Sequence, residues 1–488
     1  MSAIEVFSEA EAQLKGNPEK FDVVILGGGT GSTVAAWTLA GEGKRVAVVD
    51  RKYIGGSCPN IACLPSKNVI HSAKVASYIQ RSREFGIAVE AMRVEMTGVR
   101  GRKRRMVTKL NDLYRENYQK TGAEFILGAG RFIAPKTIEV TLANGTKREL
   151  RGTNVIISTG THAASEAIPG LREAQPLTHV EALEMDAVPA HLIVLGGGYV
   201  GLEMAQAMRR FGARVTVVER SERLLPKEDD DVSDALAAVF RDEEIEVIPN
   251  AEVRRVAGKS GEGVEITLAQ DGAARSVAGT HLLVATGRAP NTAEIGAEKA
   301  GVELTERGFV KVNERLETTA PGVWAIGEAA GSPLFTHVSI DDSRVVQANI
   351  AGGNRVTTGR RIPFCLFTDP EFARVGLSEK EARAQGIAYR VFKVPMEAVL
   401  RARTLSETRG FLKALVGAED DRILGFTAVG TGGGEIMSAV QVAMIAGLAY
   451  TALRDAILAH PTLVEGLSPL FSSAPSAQSQ RRRTAGLG

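Results

Sequence analysis

The hydrophobic pattern of this chain repeats itself. Residues 25–51 (ILGGGTGSTVAAWTLAGEGKRVAVVDR) and 194–220 (VLGGGYVGLEMAQAMRRFGARVTVVER) align without a gap. Each opens with a β-branched and aliphatic run, breaks at a glycine cluster, resumes as a helical stretch, and ends in a second apolar run followed by an acidic residue. Such runs, bounded by turn residues, predict strand, glycine turn, helix and strand in both copies. Shorter apolar runs at 155–160 (VIISTG), 282–287 (LLVATG) and 323–328 (VWAIGE) predict further strands. These would close the sheets and return the chain from the second unit to the first. A helical pattern (Met106, Leu110, Leu113, Tyr114) follows the basic run 99–105 (VRGRKRR), which reads as a solvated helix face.

One glycine fingerprint is a weak signal, but two in register, each ending in a carboxylate, point to two dinucleotide sites. Gly27 and Gly196 permit the tight turn, and Gly29 and Gly198 let the backbone approach a pyrophosphate at a helix N-terminus. The third position, where helix and strand pack closely, is Gly201 in the second copy and Ser32 in the first. Asp50 and Glu219 stand where a carboxylate would hold ribose hydroxyls. The plainer alternative is a pair of ordinary βαβ turns without ligands. Two dinucleotide sites in one chain suggest an electron relay.

At 488 residues the chain is expected to hold about three domains. Its 44% hydrophobic and 24% charged content is that of a soluble globular protein, and a net charge of +2 gives no reason to expect a nucleic-acid partner. No apolar stretch reaches membrane-spanning length, and the N-terminus has no apolar core of a secretion signal, so a cytoplasmic protein without a membrane partner is expected.

The candidate chemistry lies just after the first unit, in 55–67 (GGSCPNIACLPSK). Cys58 and Cys63 are five residues apart, about 7.5 Å of rise in a regular helix and too far for a disulfide. They can bond only across irregular backbone. Pro65 favours a helix starting nearby, so Cys63 is expected at the threshold of a helix reaching about Tyr78, where the dipole stabilises a thiolate. Cys58 would sit in the turn before it. A buried structural pair and half a metal site remain as alternatives. No Cys/His cluster accompanies the pair, and no metal ligand set is assigned. Cys365, in the run IPFCLF, reads as a small core residue.

These residues resemble the redox motif of the class I pyridine nucleotide-disulfide oxidoreductases, which include dihydrolipoamide dehydrogenase, glutathione reductase and mercuric reductase. The resemblance spans about residues 21–472, with the motifs in family order. It implies an α/β fold of two Rossmann-like domains, for FAD and NAD(P), plus a C-terminal α+β dimerisation domain. The expected division is an extension (1–20), a first FAD-binding part (21–165), an NAD(P)-binding domain (166–286), a second FAD-binding part (287–358), an interface domain forming a homodimer (359–472) and a disordered tail (473–488).

The resemblance also implies roles. Cys63 would be the flavin-side thiol and Cys58 the interchange thiol that meets substrate. Lys67 would approach the flavin and pair with Glu203, and Tyr199 would cover the nicotinamide pocket. FAD would further contact Arg51, Gly56, Ser57, Gly130, Thr159, Gly160, Arg288, Gly327, Thr336 and His337. Glu328 stands where the family usually has Asp against the ribitol. Gly287 would line the NAD(P) site. In AHPTLVEG, His460 and Glu465 resemble the family's dyad, which reaches across the dimer to Cys58, the His protonating the departing thiol and Glu465 fixing its tautomer.

Several stretches (LFTDPEFARVGLSE, ETRGFLKALV, PTLVEGL) look most like mercuric reductase. The C-terminal cysteine pair that would receive Hg(II) and the cysteine-bearing N-terminal domain are missing, and His460 replaces a tyrosine. The dyad instead favours a small disulfide, a mixed disulfide or an oxidised sulfur species such as hypothiocyanous acid. Mercuric ion reduction and dihydrolipoamide dehydrogenation are the alternatives, with an oxidase or peroxidase and a non-catalytic flavoprotein scaffold behind them. Glu219 would repel a 2′-phosphate and favours NADH over NADPH, although Arg220 and Arg223 follow it.

Overall fold

The computed structural model describes residues 17–164, 166–270 and 272–477. The expected N-terminal extension up to residue 16, and the expected tail beyond 477, lie outside them. The described residues fall into two compact units. One takes the chain up to Val69, Thr97–Ala164 and Gly287–Arg360; the other takes Ile70–Met96, Ser165–Thr286 and the chain from Arg361.

In the first unit, strands Glu124–Ala134, Val46–Asp50, Glu19–Leu26, Lys147–Ile157 and Val323–Ala325 lie side by side in that order, each parallel to the next. The two long strands, 124–134 and 147–157, run on past this sheet and are bridged there by antiparallel Thr137–Leu142. Side chains alternate across a strand. Val23 and Ile25 therefore enter a core with Ala35, Ala36, Val345 and Val346, contributed by helices Thr30–Gly41 and Thr336–Ile350. Val24 and Leu26 enter the opposite core with Phe132, Ile138 and Val140. Burial on both faces is why these strands read as unbroken apolar runs and not as alternating ones.

The second unit carries the second parallel sheet, in the order His281–Val284, His191–Leu195, Arg214–Val218 and Glu246–Ile248. Beside it is an antiparallel ribbon of Ala251–Lys259, Gly263–Gln270 and Ala273–Gly279. The C-terminal part is an antiparallel sheet ordered Phe364–Leu366, Glu371–Gly376, Ile423–Gly430, Phe411–Gly417 and Tyr389–Pro395, packed against helix Gly433–Ile445 through Ile436, Met437 and Val440. Buried ion pairs bind these parts into one unit. Lys413 is 0% exposed and reaches Asp229 at 2.9 Å, Asp231 at 2.8 Å and Glu379 at 3.1 Å. Arg210 reaches Asp369 and Glu243, each at 2.7 Å.

The α/β class and the two doubly wound nucleotide folds are those expected. Three local expectations need correction. The tail does not lose structure at 473, because Ser476–Ala477 pairs antiparallel with Arg390 and Val391, whose edge strand offers unpaired backbone groups. The basic run 99–105 does not precede its helix. It lies inside helix Met96–Thr121, and Lys103 is only 2% exposed, so the face is not wholly solvated. Cys58 lies not in a turn but in a four-residue helix, Ser57–Asn60. There the Asn60 side-chain amide donates to the Ile54 and Gly56 carbonyls, both at 2.8 Å, and closes the segment on itself.

Candidate active site

Each glycine turn is built by backbone contact that tolerates no side chain. A Cβ on Gly27, whose φ is 105°, would lie 2.2 Å from the Ser158 carbonyl oxygen; one on Gly196, at φ 104°, would lie 2.6 Å from that of Ala285. At the third position the copies diverge. A Cβ on Gly201 would meet the Gly196 carbonyl oxygen at 2.0 Å. Ser32 is accommodated because its hydroxyl donates within the turn, to the carbonyls of Gly27 (2.7 Å) and Gly29 (2.8 Å).

The two carboxylates brace the turns. Asp50 accepts from the Gly28 amide at 2.8 Å and from those of Lys52 and Tyr53 at 2.8 and 2.9 Å. Glu219, 7% exposed, accepts from the amides of Gly197 and Ser221, each at 2.7 Å. Helices Thr30–Gly41 and Tyr199–Phe211 both start at a glycine that has no side chain to cap them. Their first-turn amides are left for an anion. Beside each turn stands a threonine, Thr159 or Thr286, whose hydroxyl is buried without a partner among the described residues. Uncapped helix starts, open glycines and orphan hydroxyls fit dinucleotides in both places.

The cysteine loop docks on the first turn. A Cβ on Gly56, at φ 68°, would lie 2.6 Å from the Gly29 Cα. Cys63 opens the helix Cys63–Gln80, with Pro65 in its first turn, where the missing N–H costs nothing. Ile61 and Ala62 leave helical geometry, and this break brings the two thiols close enough to shift one another's titration. Both cysteines are free and partly buried. Cys63 Sγ also lies 3.3 Å from Thr336 Oγ1.

This setting separates the thiols. The hydrogen bond from Cys58, with help from Thr336 and the charge of Lys67, outweighs burial and holds Cys63 down to about 6. Cys58 is pushed up, first by donating its proton to Cys63, then by burial and by the Cys63 charge. The pair is poised as a thiolate at Cys63 with the proton on Cys58.

Around the first site Glu328 does not stand alone. Thr161 donates to it, and the Arg288 guanidinium lies 3.3 Å from it while also donating to Thr161 Oγ1 at 2.6 Å. Asn291 donates to the Thr159 carbonyl at 3.0 Å and faces His162 at 2.8 Å and Arg51 at 3.4 Å. Thr161 and Asn291 went unnoticed in the sequence, and Tyr114, whose ring would be 2.6 Å from a Cβ on Gly55, was read there only as part of a helical pattern. The run TGRAPN could have pointed to Asn291; nothing local marks the other two.

The remaining candidates sit in the second unit. Tyr199 opens its helix and packs edge-on to Phe372, with ring centroids 6.5 Å apart. Glu203 is buried and accepts from the Phe367 amide at 2.9 Å. Arg220 is exposed, while Arg223 is paired with Asp234. His460 Nδ1 lies 3.1 Å from Glu465 Oε2; its side chain is 67% exposed and that of Glu465 16%. Beside the dyad is a cavity of about 610 Å³ lined by Arg401, Glu435, Ile436 and residues 461–464. Among the described residues no group of three or more His, Cys, Asp or Glu could hold a metal ion, and no helix is long and apolar enough to cross a membrane.

Two nucleotide folds, a poised cysteine pair between strand and helix, and a C-terminal antiparallel domain define a flavin-dependent pyridine-nucleotide oxidoreductase. Residues 21–343 match the pyridine nucleotide-disulphide oxidoreductase family and 362–470 its dimerisation domain, and the chain belongs to that family. It is 34% identical over 459 residues to the probable pyridine nucleotide-disulfide oxidoreductase RclA of Escherichia coli, covering 93% of this chain and 99% of that one. It is 32% identical to a mercuric reductase of Streptomyces lividans over 92% of this chain and 94% of the relative. Among solved structures, the Cu(II) complex of the HOCl-induced flavoprotein disulfide reductase RclA superposes with a TM-score of 0.84 at 33% identity, covering 93% of this chain and 99% of that one. The protein is thus an FAD-dependent enzyme that passes electrons from a pyridine nucleotide to a disulfide centre.

Proposed function

We propose that this enzyme uses NADH to reduce a small disulfide or oxidised sulfur compound through Cys58 and Cys63, as a homodimer in the cytoplasm. The observation that carries the reading is the cysteine pair: Cys63 stands at a helix start with Thr336 Oγ1 3.3 Å from its sulfur, and its thiol is held low, chiefly by Cys58. In this reading residues 21–165 and 287–358 hold FAD through the Gly27, Gly29 and Asp50 turn, 166–286 holds the nicotinamide nucleotide, and 359–472 makes the dimer. FAD, when bound, carries two electrons from the nicotinamide to the cysteine pair.

The substrate half-reaction needs only protein groups. Cys58 gives up its proton to the partner subunit's His460, whose ring is oriented by Glu465, and its sulfur attacks one sulfur of the substrate. The substrate S–S bond breaks, and the leaving thiolate takes the proton from the imidazolium. The Cys63 thiolate then attacks Cys58, expelling the second half as a thiolate that takes its proton from water. One substrate disulfide becomes two thiols while the Cys58–Cys63 disulfide forms, so two electrons are exchanged. The Escherichia coli relative is described as HOCl-induced, which suits a substrate oxidised at sulfur.

NADH is favoured because the Glu219 carboxylate is fixed by two amides at the end of its strand, where it would face the 2′ position. Anaerobic titration of the purified holoenzyme with NADH and NADPH tests the reading. A long-wavelength band from the Cys63 thiolate beside oxidised flavin is expected after two electrons. Direct bleaching of the flavin without that band would take the cysteines out of the path.

A further inference from the structure

One helix of the first unit, Thr336–Ile350, meets the site at three points. Its first residue, Thr336, stands 3.3 Å from Cys63 Sγ. One turn on, Ser339 packs so closely that a Cβ on Gly31 would run into its carbonyl and hydroxyl, and one on Gly327 would lie 2.8 Å from its hydroxyl. A further turn on, Asp342 accepts from the Gly327 amide at 2.8 Å. Gly327 opens the short helix Gly327–Ala330 that carries Glu328, and Ile326 before it supplies no side-chain cap. Asp342 therefore satisfies an amide that the turn itself leaves open. Asp342 is 0% exposed and shares a stripe of the helix with buried Val338 and Val345. A carboxylate in such a place is costly unless it is paired. Its cation is Arg360, which donates to Asp342 Oδ1 at 2.6 Å and to Asp341 Oδ2 at 3.1 Å, while Arg355 donates to Asp341 Oδ1 at 2.6 Å.

Apolar packing is non-directional and does not by itself fix a helix along its axis, whereas a hydrogen bond to a buried amide has a set length and angle. We infer that Asp342, braced by Arg360, is a positioning residue: it fixes helix Thr336–Ile350 against the Gly327 turn and so holds the Thr336 hydroxyl on Cys63. Asp342 acts through Thr336 and not as a charge. The two routes have opposite signs. Removing a negative charge by itself favours the Cys63 thiolate, whereas losing the Thr336 contact disfavours it. Cys63 otherwise faces Cys58 and the charge of Lys67. The inference rests on the Cys58–Cys63 relay above and adds the residue that keeps the support of its thiolate in place.

The test is the pH midpoint of Cys63 alkylation in the FAD-loaded dithiol enzyme, read by peptide mass spectrometry, with thermal unfolding recorded beside it. Asp342→Ala/Arg360→Met exchanges the buried ion pair for apolar groups, a change that is often neutral for stability. It leaves the Gly327 amide without its acceptor, and the midpoint should rise by about one unit. Asp342→Asn/Arg360→Met loses the same charges but keeps a carbonyl that can accept from Gly327, so its midpoint should stay near that of the unaltered protein. Adding Thr336→Val to the first double variant should take the midpoint no higher than Thr336→Val does alone, because both act on one contact. Ile138→Ala opens a cavity in the core on the opposite face of the sheet; it should lower the unfolding temperature and leave the midpoint where it was. The inference is overturned by a midpoint that stays or falls in Asp342→Ala/Arg360→Met. It is equally overturned by a rise of the same size in the asparagine variant or in Ile138→Ala, or by a shift that adds to that of Thr336→Val. Each of these results leaves the relay standing. If instead the cysteine pair of the unaltered enzyme takes up no electrons from NADH, the relay itself fails, and the role of Asp342 with it.

Discussion

Replacing Thr336 by valine isolates the contribution that sets the Cys63 thiolate. The substitution keeps the shape of the side chain and removes the hydroxyl 3.3 Å from Cys63 Sγ. Thr336 is the first residue of its helix and Phe335 holds the capping position, so no side-chain cap is lost. A hydrogen bond to a charged group contributes about 1.5–3 kcal/mol, and one pKa unit corresponds to about 1.4 kcal/mol. The Cys63 titration, held down to about 6, should therefore rise by about one to two units. The sign is that of a lowered acid: the thiolate is present above the folded value and is lost as pH falls through it. At pH 7 the thiolate fraction should drop from about nine-tenths to about half or less. The assay is the pH dependence of Cys63 alkylation in the dithiol enzyme, followed by peptide mass spectrometry so that Cys58 is counted separately. A midpoint unchanged in Thr336→Val would show that Thr336 does not stabilise the thiolate, and the poised-pair account would lose its second support after Cys58.

Three further outcomes follow from the same geometry. Gly201→Ala places a methyl group 2.0 Å from the Gly196 carbonyl oxygen, so KM for NADH should rise at least tenfold while bound flavin, measured by absorbance, stays stoichiometric; an unchanged KM would remove that turn from nicotinamide binding. Lys413→Met leaves three carboxylates facing one another without their cation, and thermal or urea unfolding of the holoenzyme should show a loss of about 3–5 kcal/mol. A loss below about 1 kcal/mol would mean water or another cation replaces it. His460→Ala should slow reoxidation of the two-electron-reduced enzyme by disulfide by about a hundredfold, with reduction by NADH unaltered in stopped-flow traces; equal slowing of both halves would take His460 out of its acid–base role.

What the sequence determined by itself was whatever is written in local chemistry. The paired glycine turns were legible because only glycine accepts φ near 105° against a carbonyl, and because buried parallel strands must be continuously apolar. The helix start at Cys63 was legible from Pro65, and the break in helical geometry from the five-residue spacing of the sulfurs. Long-range pairing could not be read that way. Thr336 reaches Cys63 across 273 residues, Asn291 reaches Thr159 across 132, and nothing near either threonine or asparagine encodes the partner. The same holds for Lys413, which reads as a surface lysine in a strand until Asp229, Asp231 and Glu379 surround it. The strand at Ser476–Ala477 and the burial of Lys103 have the same origin. Local sequence sets backbone preferences, whereas the partners of a buried polar group are chosen by which strands and helices the hydrophobic cores bring together. In this protein the sulfurs of Cys58 and Cys63 belong to the first kind of information, and the residues that tune and support them belong to the second.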